Sequence, residues 1–118
     1  MRRYLRRAKY RNNKVVFEDG STFDSMKEAN RWCELKLLYR GKGITELERQ
    51  VRFELVPAQY DKHGKLLERS ISYVADFVYI DMKTGERIVE DTKGLKTKDY
   101  IIKRKLMLYY HKIRIREV

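Results

Sequence analysis

Tyr73-Val74-Ala75-Asp76-Phe77 and Ile88-Val89-Glu90-Asp91-Thr92-Lys93-Gly94 are the two stretches on which the reading of this chain turns. Both have the apolar character of β-strands, and both carry acids where a strand should be hydrophobic. Strand side chains alternate between two faces, so Asp91 and Lys93 point the same way. A hairpin partner carrying Asp76 would bring its carboxylate alongside them. Carboxylates inside apolar strands are costly unless paired, hydrogen-bonded or bound to a metal. The pattern therefore predicts a cation site with a lysine beside it.

Working outward, Ile71 to Ile80 reads as a long strand with apolar residues on both faces, hence a central one covered on both sides. Lys83-Thr84-Gly85 supplies a turn, and Arg87 to Lys93 makes the next strand, which Gly94 lets the chain leave. Before them, Gln50 to Val56 places Val51, Phe53 and Leu55 on one face and ends at Pro57, giving a meander of three strands with a loop at Asp61-Lys62-His63-Gly64. Further upstream, Val15-Val16-Phe17, Asp19-Gly20 and Thr22-Phe23 form a hairpin signature, since Asp-Gly suits a tight primed turn. A helix follows from Asp24, capped by Ser25, with Ala29, Trp32, Cys33, Leu35, Leu37 and Leu38 on its apolar face, until Gly41 and Gly43 stop it. A second, basic helix starts near Thr97 or Lys98 with Ile102, Leu106, Tyr109 and Ile113 on its apolar side. Ile113-Arg114-Ile115-Arg116 then alternates like an edge strand, parallel to the Asp91 strand through a right-handed crossover. The expected class is α/β with a mixed sheet.

The 118 residues bound one domain, long enough to bury roughly two thirds of the surface exposed by the unfolded chain. The single cysteine, Cys33, excludes an intramolecular disulfide, and no apolar run reaches the length of a membrane helix. The expectation is a cytoplasmic protein with no membrane association. A formal net charge of +11 attracts polyanions by releasing their condensed counterions, which points to nucleic acid. Arg2, Arg3, Arg6, Arg7, Lys9, Arg11 and Lys14 crowd the start of the chain, and Lys96, Lys98, Lys103, Arg104 and Lys105 follow the acidic strand. Residues 1–13 show no clear apolar period and are expected to form a basic arm, mobile until it meets a phosphate backbone, ahead of a single domain at 14–118.

The order helix, three-strand meander, helix, strand, with Asp in the second strand and acid-x-Lys in the third, resembles the PD-(D/E)xK nuclease superfamily, which includes restriction endonucleases and Holliday-junction resolvases. Phe23-Asp24-Ser25-Met26-Lys27-Glu28-Ala29, Gln50-Val51-Arg52-Phe53-Glu54-Leu55, Tyr73-Val74-Ala75-Asp76-Phe77 and Val89-Glu90-Asp91-Thr92-Lys93-Gly94 look like a family of small phage-encoded endonucleases, akin to transposon end-cleaving nucleases. The resemblance implies a restriction-endonuclease-like core preceded by the N-terminal hairpin. It also implies a Mg²⁺-dependent endonuclease that hydrolyses DNA phosphodiesters, with Mn²⁺ able to substitute and no small-molecule cofactor. Asp76 and Asp91 take the positions of the metal ligands and Lys93 that of the catalytic lysine, while Glu28 stands where some branches place a further glutamate ligand. Branched DNA and a homodimer making paired cuts follow by analogy with small members of the superfamily.

Alternatives remain at several positions. Ser25-x-x-Glu28 is also a capping box, in which Glu28 would satisfy a backbone N–H. Asp76 could be a buried partner of Arg52 or Arg69. Glu90 lies one register step from Asp91; Asp91 is preferred because it shares a face with Lys93, and Glu90 is expected in a salt bridge. Gln50 is a candidate phosphate neighbour. Arg2, Arg3, Arg6, Arg7, Lys9, Arg11, Lys96, Lys98 and Lys103 are candidate DNA-backbone contacts. His63 and His111 lack metal-ligand spacing and read as surface residues, and Cys33 as packing. The rival functions are a non-catalytic basic nucleic-acid-binding module and a restriction-like or defence nuclease acting on duplex DNA.

Overall fold

A computed structural model describes the backbone of residues 4–7 and all of residues 14–118. Arg2, Arg3, Lys9 and Arg11 of the expected arm lie outside the described residues. The arm expectation needs correcting within it, because Tyr4–Arg7 is a strand (β1). It pairs antiparallel with β2 (Val15–Phe17), with Tyr4 opposite Phe17 and Arg7 opposite Val15. Backbone pairing supplies order there that no apolar period announces. The chain divides into two compact units, Met1–Leu47 with Ile80–Glu86, and Glu48–Tyr79 with Arg87–Val118.

In the first unit, β2 pairs with β3 (Thr22–Phe23) as expected, Val15 facing Phe23. The turn differs from the primed type. Gly20 N–H donates to Phe17 O and Phe17 N–H to Ser21 O, and only Gly20, at φ 89°, takes the left-handed region. This is a type I turn closed by a bulge glycine, the form favoured by a three-residue loop. The hairpin packs Val15, Phe17 and Phe23 with Ala29 of helix α1 (Met26–Arg40), and Trp32 and Cys33 lie against that cluster. Leu37 and Leu38 depart from the predicted apolar face and are exposed.

Strands β4 (Ile44–Val56), β7 (Ile71–Asp81), β8 (Arg87–Asp91) and β9 (Arg116–Glu117) form an open sheet in the order β4-β7-β8-β9. The turn joining β7 to β8 is too short for a parallel crossover, so these two strands run antiparallel. β8 and β9 are parallel, with Glu90 opposite Arg116 and Asp91 opposite Glu117. The sheet is therefore mixed, β7 is internal as expected, and β9 is a parallel edge strand at Arg116–Glu117 and not at the predicted Ile113 to Arg116. β4 starts well before Gln50, at buried Ile44, after which half-buried Thr45 and Leu47 alternate with exposed Glu46 and Glu48. Its charged outer positions hid the period, and two of its residues, Glu46 and Gln50, adopt positive φ, as bulged edge strands do. The loop around Asp61 is a small hairpin, β5 (Gln59–Tyr60) with β6 (Leu66–Glu68), turning on Gly64 at φ 84°. Every one of its strand residues is exposed, so no alternation marked it.

The second unit's core joins Phe53, Leu55, Tyr73, Ala75, Val78, Val89, Tyr100, Met107 and Ile115. Helix α2 (Lys98–Leu106), capped by Thr97, runs into a π-helical turn at Met107–His111. Its buried residues are Tyr100 and Met107, with Ile101, Leu106 and Ile113 packed beside them, whereas the predicted Ile102 and Tyr109 are exposed. The apolar side was misread because this segment carries large hydrophobic residues all round, so the period alone did not select the face. Met107→Ala should cost about 2–5 kcal/mol in denaturant unfolding, while Ile102→Ala should stay within about 0.5 kcal/mol. Equal losses would mean that the helix packs through the predicted face.

Candidate active site

Phase along β7 brings the acids together. Tyr73 and Ala75 belong to the core cluster, and so does Val78, an odd number of residues further on. Strict alternation would send Val78 to the opposite face, so the phase of β7 changes between Ala75 and Val78. Asp76 lies in this stretch and reaches the end of β8. There Asp76 Oδ2 accepts hydrogen bonds from Thr92 N–H at 2.8 Å and Thr92 Oγ1 at 2.7 Å. Gln50 Nε2 stands 3.5 Å from Asp76 Oδ1, presented by a backbone at φ 53°.

Asp91 is the last residue of β8 and is buried. Its Oδ2 accepts from Tyr73 Oη at 2.7 Å and lies 3.4 Å from Lys93 Nζ. The Asp76 and Asp91 carboxyls are near enough for each to shift the other's ionisation. Burial, reinforced by the bond to Asp76 and its charge, pushes Asp91 up to about 7, against the opposing effects of Tyr73 and Lys93. Burial also works against ionisation of Asp76, but the hydrogen bonds from Asp91 and Thr92, with the charge of Lys93, hold it below the usual range. Tyr73 is pushed well above its usual value, first by burial and then by its bond to Asp91, so it remains a donor.

Lys93 lies just beyond the strand, with its ammonium 4.6 Å from the centre of the Tyr100 ring. The Tyr100 hydroxyl donates to Glu117 Oε2 at 2.6 Å, and Arg104 and Lys96 also hold Glu117, at 3.0 and 3.1 Å. The bond from Tyr100, followed by those from Arg104 and Lys96, lowers Glu117 to about 2. Glu90 faces the other way. It is fully buried and accepts from the Tyr79 hydroxyl, which Arg116 approaches at 3.4 Å. Strand alternation thus separates the two neighbouring acids as expected, and the Tyr79 hydroxyl is one partner of Glu90.

Of the predicted residues, Asp76, Asp91, Lys93 and Gln50 come together in the second unit. Glu28 belongs to the first, where it is buried; its Oε1 accepts from Asp24 N–H at 2.8 Å and its own N–H donates to Ser25 Oγ at 3.1 Å. The capping geometry is therefore present. Lys96 is engaged with Glu117, Lys98 is exposed and Lys103 is half-buried. Tyr73, Thr92 and Tyr100 were missed. Tyr73 and Thr92 sat inside the quoted motifs, where a hydroxyl three residues before one acid or directly after the other was a usable signal.

Among the described residues no group of three or more His, Cys, Asp or Glu side chains could hold a metal. Two carboxylates without nitrogen or sulfur ligands do not suit zinc. They do suit Mg²⁺, which is usually held by one or two carboxylates and keeps its other positions for water and substrate phosphate. The charge of Asp76 beside Asp91 also favours a bound cation, which would relieve their repulsion.

The raised value of Asp91 has a stability consequence. The folded chain keeps a proton that the unfolded chain releases near 3.8, so this group's contribution to stability declines as pH rises from about 4 to about 7. Denaturant unfolding at pH 5 and pH 8 should show that decline in the wild type and a smaller one in Asp91→Asn. Identical pH dependence in the two proteins would contradict the buried, proton-retaining geometry.

No curated protein and no solved structure matches the chain in comparisons with known proteins. A family model described as a protein of unknown function, DUF1064, matches residues 7–118, a span that contains Glu28, Gln50, Asp76, Asp91 and Lys93. This chain belongs to the DUF1064 family.

Proposed function

We propose that this protein is a divalent-metal-dependent endonuclease that hydrolyses DNA phosphodiesters, and that its α/β sheet is a restriction-endonuclease-like core. The observation that carries the reading is the grouping at the end of β8, where Thr92 holds Asp76 at 2.7 and 2.8 Å, Tyr73 holds Asp91 at 2.7 Å and the Lys93 ammonium lies 3.4 Å from Asp91. A structural ion pair needs one acid for one base, whereas this arrangement puts two acids into an apolar sheet beside a single lysine. Tyr73 and Thr92 then fix the orientation of both acids. The net charge of +11 supplies attraction for a polyanionic substrate.

In this reading Asp76 and Asp91 hold Mg²⁺, with Mn²⁺ able to replace it. When bound, the ion supplies Lewis-acid polarisation of the scissile phosphate and lowers the pKa of the attacking water. Asp91 would hold the ion as the carboxylate, and Asp76 is kept ionised by the bonds from Thr92. Lys93, steadied by Asp91 and the Tyr100 ring, offers its ammonium to the charge that builds on the phosphoryl oxygens. Water adds to phosphorus as one P–O ester bond breaks, leaving a phosphate monoester and a hydroxyl. Gln50 stands at Asp76 Oδ1 and positions that carboxylate. Branched DNA is the proposed substrate, cut by a homodimer in the cytoplasm. No helix among the described residues is long and apolar enough to cross a membrane, which accords with that setting.

Asp76→Asn and Lys93→Ala should each reduce Mg²⁺-dependent cleavage by at least about 100-fold while DNA binding in chelator is retained. The substrates are linear, nicked, flapped and four-way DNA with mapped products, and symmetric cuts near a branch are expected from the wild type. Undiminished cleavage by both purified variants would remove the site from consideration, and equal digestion of every form would remove the branched substrate.

Glu28→Gln separates cap from ligand, because glutamine still accepts the backbone bond but loses the charge. An unchanged melting temperature with lost cleavage is the outcome expected from the superfamily resemblance. Full activity would leave Glu28 as a cap alone.

A further inference from the structure

Leu108, Tyr109 and Tyr110 are consecutive and exposed by 51%, 67% and 57%. Isolated exposed apolar residues are ordinary, but three large ones in a row on a well-anchored turn are not. The anchoring is specific. Met107, at the start of the π-helical turn, is fully buried. His111 Nε2 donates to Glu54 O at 2.7 Å and its ring meets Phe53 edge-on at 5.6 Å. Lys112 then closes the turn with a left-handed φ of 59° and donates from Nζ to Tyr109 O at 2.7 Å. Single π-helical turns are rare and concentrate at functional sites, as do left-handed residues other than glycine.

The Tyr109 and Tyr110 rings stand perpendicular, 4.9 Å apart, and Lys112 Nζ lies 5.2 Å from the Tyr109 ring centre. In the chain they are flanked by Lys103, Arg104 and Lys105 on one side and Lys112, Arg114 and Arg116 on the other. Lys105, Lys112 and Arg114 are exposed. Exposed aromatic faces interleaved with cations match the chemistry of a single nucleic-acid strand, whose bases stack on rings while its phosphates meet ammonium and guanidinium groups. A duplex keeps its base faces stacked inside and offers only phosphates to such a surface. A cationic rim also disfavours a second copy of this basic chain.

We propose that the Tyr109-Tyr110 turn is a binding site for unpaired bases of single-stranded DNA, which would direct the protein to DNA with an open or branched segment. The proposal deepens the nuclease reading by naming the feature of the substrate that is recognised. Its test is run without cleavage, so that the two can fail separately.

The test is fluorescence anisotropy in EDTA with a labelled oligothymidine and a duplex of equal length. Tyr109→Ala with Tyr110→Ala should weaken oligothymidine binding by on the order of 10-fold or more, with duplex affinity little changed. Tyr109→Phe with Tyr110→Phe, which keeps both rings, should bind as the wild type does. On the unmodified protein, ultraviolet cross-linking of a bromodeoxyuridine-substituted strand should map to Tyr109 or Tyr110, a readout independent of how the variants fold. Equal loss on both DNA forms, undiminished oligothymidine binding by the alanine pair, or cross-links confined to other segments would overturn the proposal. So would sedimentation showing that the alanine pair only dissolves a dimer. Loss of nuclease activity in Asp76→Asn with single-strand binding intact would leave it standing.

Discussion

Asp76 on β7 and Asp91 at the end of β8 lie near enough to affect each other's ionisation, and neighbouring carboxylates repel unless a proton or a cation relieves them. The surroundings are arranged around that constraint. Thr92 gives both its backbone N–H and its hydroxyl to one oxygen of Asp76, so this acid is the one that stays ionised. Tyr73 gives its hydroxyl to Asp91 from within the apolar core, and Lys93 approaches the same oxygen from outside the strand. The pair is thus divided into an acid held ionised and an acid whose ionisation is opposed, as happens when two like groups sit in different environments.

Holding the pair involves local departures from a regular sheet. A strictly alternating β7 could not send Tyr73, Ala75 and Val78 into one core. The change of phase between Ala75 and Val78 falls at Asp76, which meets Thr92 there. Gln50 adds a second irregularity on the neighbouring strand, a left-handed residue whose amide lies toward Asp76. Both lie beside the site, and strain of this kind persists where the surrounding packing determines it.

The other side of the site rests on β9 and α2. Parallel pairing of β8 with β9 places Glu117 opposite Asp91, and Val118 N–H donates to Asp91 O at 3.0 Å. Glu117 gathers Tyr100, Arg104 and Lys96, which sets the Tyr100 ring where the Lys93 ammonium rests. Because Glu117 is held near 2 by these partners, its ionised form contributes stability above about pH 4.5 that is lost as pH falls toward 2. The lysine's platform therefore persists throughout the range in which Asp91 changes its protonation.

Local pattern determined a good deal of this. The residues at 71–80 and 87–91 are strands because their apolar runs end at turn residues, the helices start at Ser25 and Thr97 because both hydroxyls cap, and the opposed faces of Glu90 and Asp91 follow from the pleat. Asp76, Asp91 and Lys93 were legible as a group because acids in apolar strands need a partner. The rest needed tertiary contacts. The exposed β5–β6 hairpin and the charged start of β4 have no apolar contrast to reveal them, and α2 is hydrophobic on more than one side, so only packing against the sheet chose Tyr100 and Met107 over Ile102 and Tyr109. Tyr73, Thr92 and Tyr100 entered the site through a change of strand phase and a crossover that bring distant residues within hydrogen-bond reach. A one-residue change of phase leaves no mark on composition or period, yet it decides which side chains meet.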